Sequence, residues 1–353
     1  MTVYANKPAF NVREKLKELE KPSGIAGRAM LAADTPQEQF DLIGAGRRNL
    51  VINGDMAVWQ RGTSFAGAVP STFSADRWNV SYQDATNTRT ASRSTIVPDG
   101  FTYSMEIVGS ISQYPSTGVE LPVTGKGGIF AKGRNFTYSL YSDAPSAPEL
   151  FVLFRDNVHG TSGSQVAILI NKEMSVIESD CGNGFKRYAI TFPITGIPVA
   201  GNQCLTIAPR FVNTIIDETY RVTGCQLEAG KVATPFEHRS YGEELALCKR
   251  YAQVFTGKSN KRLALSGNGG NTSFPTIVLP VEMRVDPGIT YSALSDFNVE
   301  GLNGGKNVPT GLSLNVASTT AVTLNCTTTG ITGSGTNLLF SNSTGWMLLN
   351  AEL

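Results

Sequence analysis

Apolar residues along this chain fall into four regimes of spacing. Over residues 1–46 the intervals are helical: Val12, Leu16 and Leu19 stand at i, i+4 and i+7 behind a capping box of Asn11 and Glu14, and Pro22 ends the pattern. A second start signal follows, with Thr35 as N-cap, Pro36 at the first helical position and Glu38 completing the box. That run carries Phe40, Leu42 and Ile43 before Gly44 closes it. Isolated helices need roughly 12–15 residues to persist in water, so these two require a surface to pack on. The segment is expected to be an arm that orders on a partner or on other copies of the chain.

From Leu50 the period becomes two, which places alternate side chains on one face of a strand. Trp78, Val80 and Tyr82 alternate, as do Tyr103, Met105 and Ile107, and Phe136, Tyr138 and Leu140. Leu150, Val152 and Phe154 follow, then Val166, Ile168 and Ile170, then Tyr188, Ile190, Phe192 and Ile194, then Leu205 and Ile207 up to Phe211. Turn-rich breaks separate these runs, among them Pro98-Asp99-Gly100, residues 142–148 and Gly182-Asn183-Gly184. About eight to ten strands over residues 49–238 predict a two-sheet sandwich of jelly-roll type. The absence of a fixed-period repeat disfavours a β-helix or propeller.

The third regime lies between Ser240 and Phe255. Tyr241, Leu245, Cys248, Ala252 and Phe255 step by four and three, the spacing of a heptad seam, while Glu243, Glu244, Lys249 and Arg250 fall off the stripe. This predicts a linking helix over 240–257, packed either at an oligomer axis or against its own sandwich. Alternation then returns. Ile277, Leu279, Val281, Met283 and Val285 make the longest strict run, followed by Leu312, Leu314 and Val316, by Val322, Leu324 and Cys326, and by Trp346 and Leu348. The expected fold is therefore mainly β: a short helical N-terminal arm (1–46), a jelly-roll sandwich (47–239), a linking helix (240–257) and a second, smaller C-terminal sandwich (258–353). Gly- and Asn-rich loops in the last region suit binding on a rigid scaffold.

Composition narrows the function. Charged residues make 17% of the 353, against about 25% in average soluble domains, and 30 Lys+Arg against 29 Asp+Glu leave a net charge of +1. That balance gives no electrostatic footprint for nucleic acid or an anionic membrane. No apolar run approaches the length of a membrane span, and the N-terminus lacks a signal-type stretch, so neither membrane insertion nor export of that kind is expected. Cys181, Cys204, Cys225, Cys248 and Cys326 are odd in number with no CxxC pair. They read as reduced core residues, neither a disulfide framework nor a zinc site. His159 and His238, the only histidines, are far apart in sequence and stand in no ligand motif.

Motifs of catalysis are missing. The chain has no phosphate loop, no GxGxxG and no GxSxG elbow, and Gly125 to Gly128 reads as a hairpin turn. No cofactor is expected. Asn53-Gly54-Asp55 reads as a plain turn, with Asp55 as an alternative ligand for a structural calcium. Trp and Tyr rings stack on the C–H face of a pyranose, which makes Trp59, Tyr114 and Trp346 the candidate sugar contacts, whereas Trp78 inside an alternating strand is expected in the core.

Three segments carry a resemblance. GRRNLVINGDMAVWQRGTSF at 46–65 with STFSADRWNV at 71–80 resembles the opening of the carbohydrate-binding-like jelly-roll of tailed-bacteriophage tail fibre and receptor-binding proteins. CQLEAGKVATPFEHRSYGEELALCKRYAQ at 225–253 resembles its closing signature, and VLPVEMRVDPGITYS at 278–292 is similar to the strand and turn that follow it. The resemblance implies a non-enzymatic virion component, commonly a homotrimer, assembled in the host cytoplasm and carried on the phage tail. Its N-terminal arm, through Val12, Leu16, Leu19 and Phe40, would dock on a tail or portal-proximal structural protein. Its distal domain would contact host cell-surface polysaccharide. A head fibre, a decoration or tail-connector protein, or a polysaccharide depolymerase are the alternatives.

Overall fold

A computed structural model of the chain describes residues 48–66, 73–82, 90–109, 112–120, 133–155, 165–195, 204–212, 218–258, 261–266, 271–301, 304–330 and 336–352. The arm with Val12, Leu16, Leu19 and Phe40, the Gly125 to Gly128 turn and His159 lie outside them. The described part holds two apolar cores, one built from residues 51–227 and one from residues 264–351.

Twelve strands surround the first core: β1 (Ser64–Ala66), β2 (Asn79–Tyr82), β3 (Thr90–Ser94), β4 (Ser104–Gly109), β5 (Ser112–Glu120), β6 (Asn135–Ser142), β7 (Glu149–Arg155), β8 (Gln165–Glu173), β9 (Ser175–Glu178), β10 (Lys186–Pro193), β11 (Cys204–Val212) and β12 (Glu218–Ala229). One sheet runs β1-β3-β4-β12-β6-β10-β9 and the other β2-β5-β11-β7-β8. The chain wraps from sheet to sheet, so that β4-β12-β6-β10 and β5-β11-β7-β8 form the two four-stranded layers of a jelly-roll. Period-two alternation is what fills it. Met105, Ile107, Phe136, Tyr138, Leu140, Tyr188 and Phe192 enter the core from one sheet, and Leu150, Val152, Phe154, Leu205, Ile207 and Phe211 from the other. Trp78 is fully buried as expected, though it stands just before β2 rather than within it, and its Nε1 donates to Asn53 O at 2.9 Å.

β12 breaks the simple alternation. Tyr220 and Val222 point inward, but a bulge between Thr223 and Gln226 shifts the phase, so that Cys225 and Leu227 are the next residues in the core. Gly224 takes a φ of +60° at this bulge, and a Cβ there would stand 2.5 Å from the Tyr141 ring. The Asn53-Gly54-Asp55 turn docks on the same bulge. A Cβ on Gly54 would meet Cys225 O at 2.1 Å, and Cys225 N donates to Gly54 O at 2.9 Å. Asn53, at a φ of 57°, holds the turn closed by donating to Val58 O and Asp76 O and accepting from Val58 N.

The linking helix is shorter than its spacing predicts. Helix α1 spans Tyr241–Lys249 with Ser240 and Glu243 as a capping box, and residues 252–256 form a strand instead. The seam of Tyr241, Leu245, Cys248, Ala252 and Phe255 is therefore divided between two elements. Within the helix Tyr241 is 59% exposed and Leu245 half-buried, whereas Cys248 and the unheralded Glu244 are buried. Gln253-Val254-Phe255-Thr256 suits a pleated, half-buried surface better than a helix, and a strand partner is available in the second sandwich.

That sandwich comprises β13 (Ala252–Thr256), β14 (Arg262–Ser266), β15 (Thr272–Ser273), β16 (Thr276–Val278), β17 (Gly288–Tyr291), β18 (Phe297–Gly301), β19 (Lys306–Asn307), β20 (Gly311–Ala317), β21 (Ala321–Thr327), β22 (Thr336–Phe340) and β23 (Trp346–Asn350). A three-stranded sheet, β13-β23-β17, shares a core with the larger sheet β15-β21-β16-β14-β22-β18-β19, to which β20 adds by pairing with β21. Three expectations are corrected here. The run from Ile277 to Val285 is a strand only in β16, because Pro280 and Pro287 take backbone donors out of any ladder, though Leu279 and Met283 still point into the core. A bulge between Leu314 and Val316 turns Val316 out to solvent. In β23 the buried phase is Met347 and Leu349, leaving Trp346 40% exposed.

The two cores meet at an ionic layer. Arg77, 1% exposed at its side chain, pairs with Glu352, donates to Gly118 O at 2.7 Å and lies 3.6 Å over the Tyr251 ring. Arg61 bridges Asp76 at 3.3 Å and Glu352 at 3.2 Å, and Arg284 pairs with Glu120 at 3.1 Å. Gln60 Nε2 donates to Ala252 O at 2.9 Å, adding a neutral tie between the sandwiches.

Candidate functional site

Among the described residues, the outward face of the larger jelly-roll sheet carries a developed surface groove. Where Phe136, Tyr138 and Leu140 of β6 point inward, Thr137, Ser139 and Tyr141 point out, and cross-strand pairing sets them beside Thr191, Ala189 and Arg187 of β10. Glu178 of the edge strand β9 is the next register partner of Arg187. Residues 230–237 cross this face as a strap. Gly230 O accepts from Thr137 Oγ1 at 3.0 Å, Lys231 O from Thr191 Oγ1 at 3.2 Å, and Thr234 O from Arg187 Nη2. The strap is itself clamped, since Thr234 donates through N and Oγ1 to Glu228 at 2.9 and 2.6 Å, and Glu237 N donates to Gln226 Oε1 at 2.8 Å.

Between strap and edge strand lies a groove of about 720 Å³. Arg187 forms part of its floor, Lys172, Glu173, Glu178 and Lys231 are its charged rim, and the exposed side chains of Ile177 and Val232 supply apolar walls. An aromatic cluster continues from the floor. Arg187 stands 5.3 Å from the Tyr141 ring centroid, Tyr141 packs on Phe101 at 5.1 Å, and Phe101 meets Phe236 at 5.1 Å and the exposed His238 at 5.0 Å. Burial pushes the Tyr141 hydroxyl's pKa up against the pull of the Arg187 charge, which keeps it a neutral donor. Fixed polar groups beside apolar and aromatic walls are what a sugar-sized ligand requires.

The residues singled out from sequence lie elsewhere. Trp59 is 8% exposed and its Nε1 donates to Met56 O at 2.7 Å, so it is packed into the first sandwich with no open ring face to offer a sugar. Tyr114 belongs to β5, paired with Ser81, where a surface loop is expected from SQYPSTG. Trp346 is partly open but stands on the second sandwich. Asp55 accepts from Ala57 N at 3.3 Å, and burial raises its pKa against the charges of His238 and Arg239. No group of three or more His, Cys, Asp or Glu among the described residues is placed to hold a metal ion. All five cysteines are buried thiols outside any disulfide. Burial pushes Cys225 up to about 12 and Cys181 and Cys326 to about 11, far from the range of a reactive thiolate.

Solved structures with a similar chain path include carbohydrate-binding modules and a phage tailspike domain. The enzymatically active domain of bacteriophage CBA120 tailspike protein 4 is 16% identical over 51% of this chain, with a TM-score of 0.30; the match spans about a fifth (21%) of that protein's length. The CBM22-1 xylan-binding domain from Paenibacillus barcinonensis Xyn10C is 13% identical over 48% of this chain and 94% of its own, with a TM-score of 0.26. TmCBM61, solved in complex with β-1,4-galactotriose, is 12% identical over 52% of this chain and 99% of its own, with a TM-score of 0.27. No family model and no curated protein matches the sequence.

Proposed function

We propose that this chain is a non-enzymatic structural protein of a bacteriophage tail, a fibre or receptor-binding protein that joins the particle through residues 1–46 and contacts host-surface polysaccharide. The observation that carries the reading is the outer-face groove with its adjoining rings, which combines a fixed guanidinium, charged rim groups and apolar walls on a rigid jelly-roll. The sequence resemblance to tail-fibre modules supplies the phage context. In a homotrimer three such grooves share one axis, so weak single-site contacts add up through effective concentration. The test is binding of the full chain to whole host cells and to their purified surface polysaccharide, with light scattering for the oligomeric state. Saturable glycan binding by a trimer, with no new reducing ends released, is the expected result. Release of reducing ends converts the reading to a depolymerase, and absence of glycan binding removes it.

A further inference from the structure

Five arginines in the described residues have side chains or whole residues nine-tenths or more buried, and four hold a carboxylate. Arg61 meets Asp76 and Glu352, Arg77 meets Glu352, Arg239 meets Glu244 at 3.1 Å, and Arg284 meets Glu120. Arg187 is the exception. Only 7% of it is exposed, yet among the described residues no carboxylate comes within ion-pair distance. Its protein partners are neutral: Thr234 O, Ser139 Oγ at 3.4 Å and the Tyr141 ring, while its Nε is buried without a hydrogen bond. Glu178, its cross-strand neighbour, stays exposed at the rim, and Glu228 on the strap side is engaged by Thr234 and Gln226. Burying a charge without a counter-charge is costly, and arginine is the residue whose planar fork matches carboxylate and phosphate.

Resting on the glycan-binding reading above, we propose that the groove takes an acidic glycan and that the Arg187 guanidinium seats its anionic group. Lys172 and Lys231 also line the groove, giving three cations against Glu173 and Glu178. Ile177 and Val232 present the apolar surface that a sugar ring's C–H face needs. A neutral sugar can accept hydrogen bonds from a guanidinium but leaves its charge unmatched, whereas a uronate carboxylate or a backbone phosphodiester supplies the missing charge and accepts the fork in a charge-assisted, bidentate way.

The experiment uses the full chain on immobilised host-type polysaccharides in three arms: uronate-bearing, phosphodiester-bearing and neutral. Every retained uronate glycan is measured again after carboxyl reduction. Retention is expected on an acidic arm alone, falling with added NaCl and weakened about tenfold by Lys231→Glu, a substitution at an exposed rim position. Arg187→Gln is expected to abolish retention, with a thermal melt to verify folding; Lys231→Glu decides the matter if that variant is unstable. Loss after carboxyl reduction identifies a carboxylate, and retention confined to the phosphodiester arm identifies a phosphate. Retention on neutral glycans, unchanged by Lys231→Glu, overturns the acidic-ligand proposal and leaves glycan binding standing. Retention on no arm overturns both.

Discussion

Of the places where the described residues bury an arginine, two do so on opposite terms. At the junction of the sandwiches Arg77 is enclosed with Glu352, a backbone carbonyl and the Tyr251 ring, so its charge is matched from within the chain. On the outer face Arg187 is nearly as enclosed, but among the described residues its partners are neutral. A paired buried charge fixes how two bodies pack, while the one without a carboxylate partner is, on the proposal above, matched from outside the chain. If that proposal holds, stability and binding separate between the two sites.

The largest effect belongs to the junction. Glu352→Gln leaves Arg77 and Arg61 without their shared carboxylate, and breaking a buried pair in this way costs about 3–5 kcal/mol. Urea denaturation measures it, and a loss below about 1 kcal/mol would mean that the junction is not held by charge pairing. Acidity probes the same layer. Burial, with the charge of Glu352, pushes the Asp76 carboxyl up to about 6 against the opposing pull of Arg61 and Gln60. Because the folded pKa lies above the unfolded value of 3.8, the native state holds this proton more tightly. The resulting stability is full below about pH 4 and is lost as pH rises through about 6, a difference of about 3 kcal/mol at 1.36 kcal/mol for each pKa unit. Asp55 and Glu244 are raised in the same direction by burial, so the diagnostic quantity is the wild type minus Asp76→Asn. That variant is expected to show a flatter dependence of urea midpoint on pH between 4 and 7.

An intermediate effect lies under the aromatic cluster. Gly224→Ala meets both the positive φ and the Tyr141 and Phe101 rings, for an expected loss of about 1–3 kcal/mol. If the rings form part of the glycan site, glycan affinity falls with it, since Tyr141 must move to admit the methyl group. A stable Gly224→Ala protein with full affinity would confine the site to the groove itself.

Much of the fold was readable because period-two runs map onto strands wherever the ladder is regular. β2, β4, β6, β7, β8, β10 and β11 fall on segments that alternation marks. β12 escaped because its bulge changes phase after Val222, so no single period fits Tyr220, Val222, Cys225 and Leu227. The helix was overrun for the converse reason: Ala252 and Phe255 happen to continue a heptad count across the end of α1, and spacing alone carries no stop signal there. Ser240 and Glu243 did mark its start in the sequence. The site was hardly legible. Arg187 lies in FKRYAITF as one outward residue among several, and what singles it out is Tyr141, Thr234 and the lack of a carboxylate partner among the described residues, all of which are set by pairing between distant segments.

The smallest stability effect is also the sharpest test of the contrast. Arg187→Met keeps an unbranched chain of similar length along the Tyr141 ring and discards a charge that no carboxylate in the described residues compensates. The loss of the bonds to Thr234 O and Ser139 Oγ is offset by relief of that desolvation, so stability should change by less than about 1 kcal/mol in either direction. Glycan retention should vanish in the same protein. Substitution of Arg77 by Met is the matched control, since it strands Glu352 and should be costly to folding. If instead Arg187→Met costs more than about 3 kcal/mol, Arg187 is what holds the strap down, and the two buried arginines differ in partner but not in purpose.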